Sequence, residues 1–264
     1  MSLEYFDYTE DERGIVIRGL LCEELEDVYI PEGVYEIADD AFSGTEIETV
    51  TLPSTLVKIG AGAFCDCPFL RRVYFDRATS LAEIGEEAFM ETIITSLTIP
   101  DTVEFIGDCA FSGCEYLEEV RFGKCSRLKY IGEEAFYSTD IVYLRMPNSL
   151  EGIGDGCFSE CSSLHSLIFD EGASLLSIGN NAFLGCCTLK ILSLPEATEL
   201  IGERAFLGCE SLGIVTLPRG VLSIGNDAFS GCGDLDEIRM SRFTHDNGLF
   251  FDITEDESII KIYD

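Results

Sequence analysis

Along this chain an apolar residue, an open position and a second apolar residue recur ten times. The triplets are Val28-Tyr29-Ile30, Val50-Thr51-Leu52, Val73-Tyr74-Phe75, Leu97-Thr98-Ile99 and Val120-Arg121-Phe122 in the first half. Leu144-Arg145-Met146, Leu167-Ile168-Phe169, Leu192-Ser193-Leu194, Val215-Thr216-Leu217 and Ile238-Arg239-Met240 follow. A period of two is that of a strand with one buried face. Pro or Gly just beyond several triplets, as at Pro53, Pro100, Gly123 and Pro147, ends the strand. About 20 residues separate neighbouring strands, far more than a hairpin needs, so the connections are crossovers and the strands stack in parallel. Ten turns at about 4.8 Å each predict a stack roughly 45 Å long.

A second pattern lies between the strands. Ile-Gly-x-x-Ala-Phe occurs at Ile59–Phe64, Ile84–Phe89, Ile106–Phe111, Ile131–Phe136, Ile178–Phe183, Ile201–Phe206 and Ile224–Phe229. Two near copies start at Ile37, with Ala38 for Gly, and at Ile153, with Cys157 for Ala. The motif phenylalanines are spaced 22, 25, 22, 25, 22, 25, 23 and 23 residues apart, so much of the chain repeats as 47-residue pairs of unequal units. Three residues after each Phe stands Thr (45, 92, 139) or Cys (67, 114, 161, 186, 209, 232). The Cys units that alternate with Thr units insert two residues before the next Ile. Ile, Ala and Phe are expected to point inward from the wall opposite the strands, Gly allowing close approach or a positive φ. No helical periodicity is long enough for a full helix, so single helical or 3-10 turns are expected around x-x-Ala-Phe. A unit of this size buries its apolar face only against its neighbours, which makes the chain a solenoid.

This pattern resembles the BspA-type (Treponema pallidum-like) leucine-rich repeat. Leu212 to Pro218 followed by Ile224-Gly225-Asn226-Asp227-Ala228-Phe229-Ser230-Gly231-Cys232 fits that unit closely, and the resemblance covers about residues 25–241. It implies a leucine-rich-repeat solenoid, a right-handed superhelix. It also implies a family of secreted and surface proteins of host-associated bacteria and some protozoa, several of them adhesins.

The organisation expected is one solenoid domain over 1–264, with an N-terminal cap (1–24), repeats (25–241) and a C-terminal cap (242–264). Gly14–Gly19 reads as a first strand, and Phe250–Ile253 with Ile259–Ile262 as a terminal hairpin covering the last turn. Charge narrows the partners. With 49 acidic and 17 basic residues the net charge is −32, which repels phosphate backbones and anionic lipid. Nucleic acid is therefore not an expected partner, and self-association is disfavoured, so a monomer is expected. No apolar run approaches the roughly 20 residues of a membrane span, so no membrane insertion is expected. The first residues read as no secretory signal. An extracellular or surface location follows from the resemblance alone, and a cytoplasmic one stays open.

Twelve cysteines raise disulfide and zinc readings. Six share one repeat position, where Thr substitutes, and Cys157 replaces the motif Ala. That points to a small, partly buried weak donor serving turn carbonyls. Cys186, Cys209 and Cys232 would lie about 5 Å apart on adjacent turns, within bridging range, but with parallel side chains. Cys65-x-Cys67 and Cys186-Cys187 are poor chelate spacings for zinc. His165 and His245 sit in no nucleophile motif. Glu86-Glu87 and Glu133-Glu134 occupy the open motif positions and read as a solvated ridge, along which calcium binding would be unspecific. No catalytic residue, cofactor or metal is assigned, and no enzyme activity is expected.

The outward strand positions carry the functional expectation. They gather Arg72, Tyr74, Arg121, Tyr143 and Arg145 near the middle of the stack, in a chain poor in Arg. Arg and Tyr are enriched at binding hot spots, although Tyr, Thr and Arg are also ordinary exposed-strand residues. The expected function is non-catalytic binding or adhesion to a protein or glycan partner through this face. The alternative is a scaffold that displays or spaces other modules of a larger surface protein.

Overall fold

A computed structural model describes residues 2–22, 24–76, 78–242 and 257–263. The chain begins with an antiparallel hairpin, β1 (Phe6–Asp11) and β2 (Gly14–Leu20). It then winds as a parallel β-solenoid in which each turn supplies a triplet strand and a second strand ending at the motif Ile, two residues long in every turn but the first. These are β3 (Asp27–Tyr29) with β4 (Val34–Ile37), β5 (Thr49–Leu52) with β6 (Lys58–Ile59), and β7 (Arg72–Phe75) with β8 (Glu83–Ile84). Next come β9 (Ser96–Ile99) with β10 (Phe105–Ile106), β11 (Glu119–Phe122) with β12 (Tyr130–Ile131), and β13 (Tyr143–Arg145) with β14 (Gly152–Ile153). The later turns hold β15 (Ser166–Ile168) with β16 (Ser177–Ile178), β17 (Ile191–Ser193) with β18 (Leu200–Ile201), and β19 (Ile214–Thr216) with β20 (Ser223–Ile224). The last described segments are β21 (Glu237–Ser241) and β22 (Ile260–Tyr263).

The ten triplet strands form as the alternation predicts, but not as one sheet. Their hydrogen bonding divides into β3-β5-β7, β9-β11-β13-β15 and β17-β19-β21-β22. The divisions fall where the strand-to-strand step is long. From Val73 to Leu97 is 24 residues and from Leu167 to Leu192 is 25, against 22 or 23 within the paired groups. The third long step, 24 from Val120 to Leu144, leaves only Glu119 paired with Tyr143. The opposite wall is itself a sheet, which the sequence reading missed. The Ile-Gly strands form one unbroken ladder continuing from β1 and β2 through β20. Two-residue strands carry almost no alternation, so this ladder leaves no signal of its own.

The glycine of Ile-Gly shows why that wall stays continuous. A Cβ on Gly154 would sit 2.5 Å from the carbonyl carbon of Gly132, and one on Gly202 would sit 2.4 Å from that of Gly179. Neither glycine has a positive φ, so close approach of successive backbones is what excludes a side chain. Ala38 is tolerated because its turn has only the hairpin before it, where its N–H donates to the Ile17 carbonyl at 2.8 Å.

No helical or 3-10 segment runs through x-x-Ala-Phe, but the expected single turns form there: Ser43 N–H donates to the Asp40 carbonyl at 3.1 Å and Cys65 N–H to that of Gly62 at 2.9 Å. The second open motif residue and the residue two beyond Phe adopt left-handed backbone in all nine units, with φ between 51° and 74°. Eleven of these eighteen residues are not glycine, each costing about 1–2 kcal/mol. A helical turn would direct N–H groups back along its own chain. Here alternate N–H groups reach the next turn: Phe64 N–H donates to the Ala88 carbonyl and Phe111 N–H to that of Ala135, both at 2.8 Å.

The core follows from this pitch. Nine motif phenylalanines are buried and stack ring on ring, with centroids 5.0–5.4 Å apart and planes within 11°. Phe6 of β1 closes the first ring edge-on, at 6.3 Å and 80°. Each shared-position cysteine donates its S–H to the Phe carbonyl of the preceding turn, as Cys114 does to Phe89 at 3.1 Å and Cys161 to Phe136 at 3.1 Å. In the Thr units the hydroxyl meets the same carbonyl: Thr92 Oγ1 donates to Phe89 at 2.9 Å and lies 3.2 Å from Cys114 Sγ. All twelve cysteines are free thiols, so the adjacent Cys186, Cys209 and Cys232 are not bridged. At the far end β22 pairs in parallel with β21 and extends the triplet sheet. The expected hairpin partner, Phe250–Ile253, lies outside the described residues.

Two predictions follow from the pitch. Gly202→Ala should cost about 3 kcal/mol or more, because backbone must move. Gly208→Ala, a left-handed position with no non-neighbour atom closer than 3.9 Å, should cost only about 1–2 kcal/mol. Urea denaturation of both variants checks the order. The thiols give a pH dependence. Burial pushes Cys114 and Cys161 up to about 11, against about 8.5 for a free thiol. The folded state therefore holds protons that the unfolded chain releases, and stability falls as pH rises from about 8.5 towards 11. A Cys114→Thr, Cys161→Thr variant should lose less stability than the wild type between pH 7.5 and 10 in urea titrations.

Candidate binding face

On the triplet strands the central residue and the one two before it point outward, and the register lines them up turn by turn. Asp27, Thr49 and Arg72 form one column in the first sheet, and Tyr29, Thr51 and Tyr74 the other. In the second sheet Ser96, Glu119, Tyr143 and Ser166 align, as do Thr98 with Arg121 and Arg145 with Ile168. The inward residues Val73, Leu97, Val120 and Leu144 are buried, which fixes these neighbours outward.

The five residues expected on this face are exposed, but they do not form one cationic patch. Arg72, Tyr74 and Arg121 line a cleft of about 490 Å³ where β7 and β9 fail to pair, floored by Phe75 and Pro100. Tyr143 and Arg145 lie on β13, outside that lining. Arg121 is already paired with Glu119 at 2.6 Å, and Arg145 with Asp170 at 2.5 Å. Its contacts with Tyr143 and Asp170 raise the Arg145 guanidinium further above its ordinary range. Arg72 alone of the three arginines makes no ion pair among the described residues. Both pairs are solvent-exposed, so each is weak and can open to a partner.

The acidic ridge is ordered by the turns. Asp39 accepts from Ala61 N–H at 2.9 Å, Asp108 from Glu133 N–H at 2.8 Å and Asp155 from Asn180 N–H at 2.7 Å. The short Asp or Asn side chain at the first open position thus bonds the next turn. Among the described residues no group of three His, Cys, Asp or Glu side chains is arranged to hold a metal ion. His165 is exposed just before β15, and His245 lies outside the described residues. Burial raises the buried thiols, Cys65 to about 12, which keeps them protonated and poorly nucleophilic near neutrality. No helix among the described residues is long and apolar enough to cross a membrane.

Sequence reasoning missed a second opening on this face. Between β15 and β17, about 800 Å³ of open space is lined by Phe169, Leu194 and Pro195 and by several carboxylates. The one available signal was the 25-residue step from Leu167 to Leu192.

These features can be set beside known proteins. The model of the BspA type leucine rich repeat region matches in six copies, over residues 20–118, 82–186 and 176–260. No curated protein matches the chain. Among solved structures, the pneumococcal vaccine antigen PcpA is 20% identical, with 90% of this chain and 80% of that one covered at a TM-score of 0.60. A leucine rich cell surface protein from Faecalibacterium prausnitzii is 21% identical, with 92% and 89% covered at a TM-score of 0.51. Both likenesses are of fold. With its repeats matched from residue 20 to 260, this chain belongs to the BspA type leucine-rich repeat family.

Proposed function

We propose that the chain is a non-catalytic binding module that recognises an acidic protein or a glycan through the outer face of its triplet strands. The observation that carries this reading is the cleft at the β7–β9 opening, where Arg72 has no ion pair among the described residues and lies beside exposed Tyr74 and Arg121. An unpaired guanidinium can form two parallel hydrogen bonds to a carboxylate or sulfate, and Tyr adds amphipathic contact area. The surrounding negative charge discriminates in the same direction. It repels extended polyanions while leaving a local cationic site available to a small anionic group. Family membership supports protein interaction or adhesion at a cell surface as the setting.

Binding should be measured to a short sulfated oligosaccharide and to a short acidic peptide at near-physiological salt. Arg72→Ala should weaken binding about tenfold, the loss typical of an interface hot spot. Arg121→Ala and Arg145→Ala should each weaken it less, because their charges are already shared with Glu119 and Asp170. Affinity unchanged by all three substitutions together would overturn the reading and favour a scaffold that spaces other modules.

A further inference from the structure

The two full openings of the triplet sheet have the same origin and different chemistry, the first mixed in charge and the second purely acidic. Both occur at a long step, and both are floored by a half-buried Phe and a Pro: Phe75 and Pro100 in one, Phe169 and Pro195 in the other. The first is bordered by Arg72 and Arg121 together with Asp76, Asp101 and Glu119, the last paired with Arg121. The second is bordered by Glu151, Glu171 and Glu196, all exposed and none in an ion pair among the described residues. Its fourth carboxylate, Asp170, is taken by Arg145.

The second opening is amphiphilic along its length. It runs into an adjoining hollow of about 350 Å³ that shares Phe169 and Ser193 with it. That end is apolar. Ile191 is 62% exposed at its mouth, with half-buried Ile168 facing it across the gap where β15 and β17 do not pair. His165 and Lys190 flank this apolar end, so positive charge is disfavoured there and favoured at the carboxylate end.

We propose that the opening between β15 and β17 is a docking slot for an extended segment of a partner protein that carries basic residues next to apolar ones. Apolar side chains of that segment lie against Ile168, Phe169 and Ile191. Its Lys or Arg side chains run over Leu194 and Pro195 and end among Glu151, Glu171 and Glu196. A long basic side chain suits this path because its methylene stem packs on apolar surface while its charge stays at the rim. A bare metal ion does not suit it, since no converging metal-binding group exists among the described residues. The site is independent of the Arg72 cleft, which takes a partner group of opposite charge.

The probe is a fluorescent octapeptide of alternating Lys and Leu, compared by anisotropy with an oligolysine and an alternating Glu-Leu peptide of the same length at about 0.15 M salt. The Lys-Leu peptide should bind saturably, one per chain, and more tightly than either comparison peptide. Glu171→Gln with Glu196→Gln should weaken it by about tenfold. Glu133→Gln with Glu134→Gln, which removes the same charge from the distant ridge, should change it by less than about twofold. Ile191→Ser, on a solvent-exposed position that leaves folding intact, should weaken the Lys-Leu peptide several-fold and leave oligolysine unaffected. Equal losses in the slot and ridge variants would overturn the proposal, as would oligolysine binding as tightly as the Lys-Leu peptide or no saturable binding. Those results would leave the Arg72 reading untouched, because that reading is tested with anionic probes.

Discussion

The distance between one turn and the next governs this molecule. Backbone hydrogen bonds between turns hold successive chains near the strand spacing of about 4.8 Å. The phenylalanine rings consequently stack at 5.0–5.4 Å, near the optimum for offset aromatic pairs. The motif glycines lose any room for a side chain, and each shared-position thiol comes within reach of the Phe carbonyl below it. The left-handed corners belong to the same constraint. They are unfavourable one by one, and they persist because they turn three N–H groups per unit towards the following turn, where a helical turn would consume them internally.

The two walls answer differently to insertions. The Ile-Gly wall cannot open, since its backbones are in contact at every turn, and its ladder runs unbroken through units of unequal length. The triplet wall has side chains on both faces and no such contact. The extra residues of the long units are absorbed on its side, and the ladder there opens at two junctions and thins to one pair at a third. The openings uncover Phe75 and Phe169, which elsewhere would be covered by the next strand. A regular stack would present a closed, even surface; the alternation of 22 and 25 residues is what gives this one concave features.

Charge is distributed by the same geometry. Asp39, Asp108 and Asp155 at the first open motif position accept from N–H groups of the next turn, so part of the −32 charge caps backbone donors. Arg121 and Arg145 lie on the strand face with their own acidic partners, whereas Arg72 has none among the described residues. Local cation strength on this face therefore depends on pairing rather than on how many arginines a column contains. Counting residues overstated the Arg121–Arg145 half of the patch.

The fold was legible in the sequence because its information is periodic. The triplet alternation, the Ile-Gly-x-x-Ala-Phe strings and the Thr/Cys position each recur often enough to identify strands, wall and core from the residue order alone. The outward columns were legible too, since burial of Val73, Val120 and Leu144 dictates the direction of their neighbours. Other features left no such trace. Left-handed corners accept Asp, Glu, Asn, Arg, Cys or Ser as well as Gly, so composition does not mark them. The two-residue strands are too short to alternate. Whether Arg121 meets Glu119 or a partner, and whether a long step opens the sheet or bulges away from it, depends on side chains and backbones brought together from different turns. The sequence by itself determined the repeat, its inward residues and its family; only the tertiary structure decided where the stack opens and which charges are left unpaired there, because both depend on contacts between units rather than on order within one.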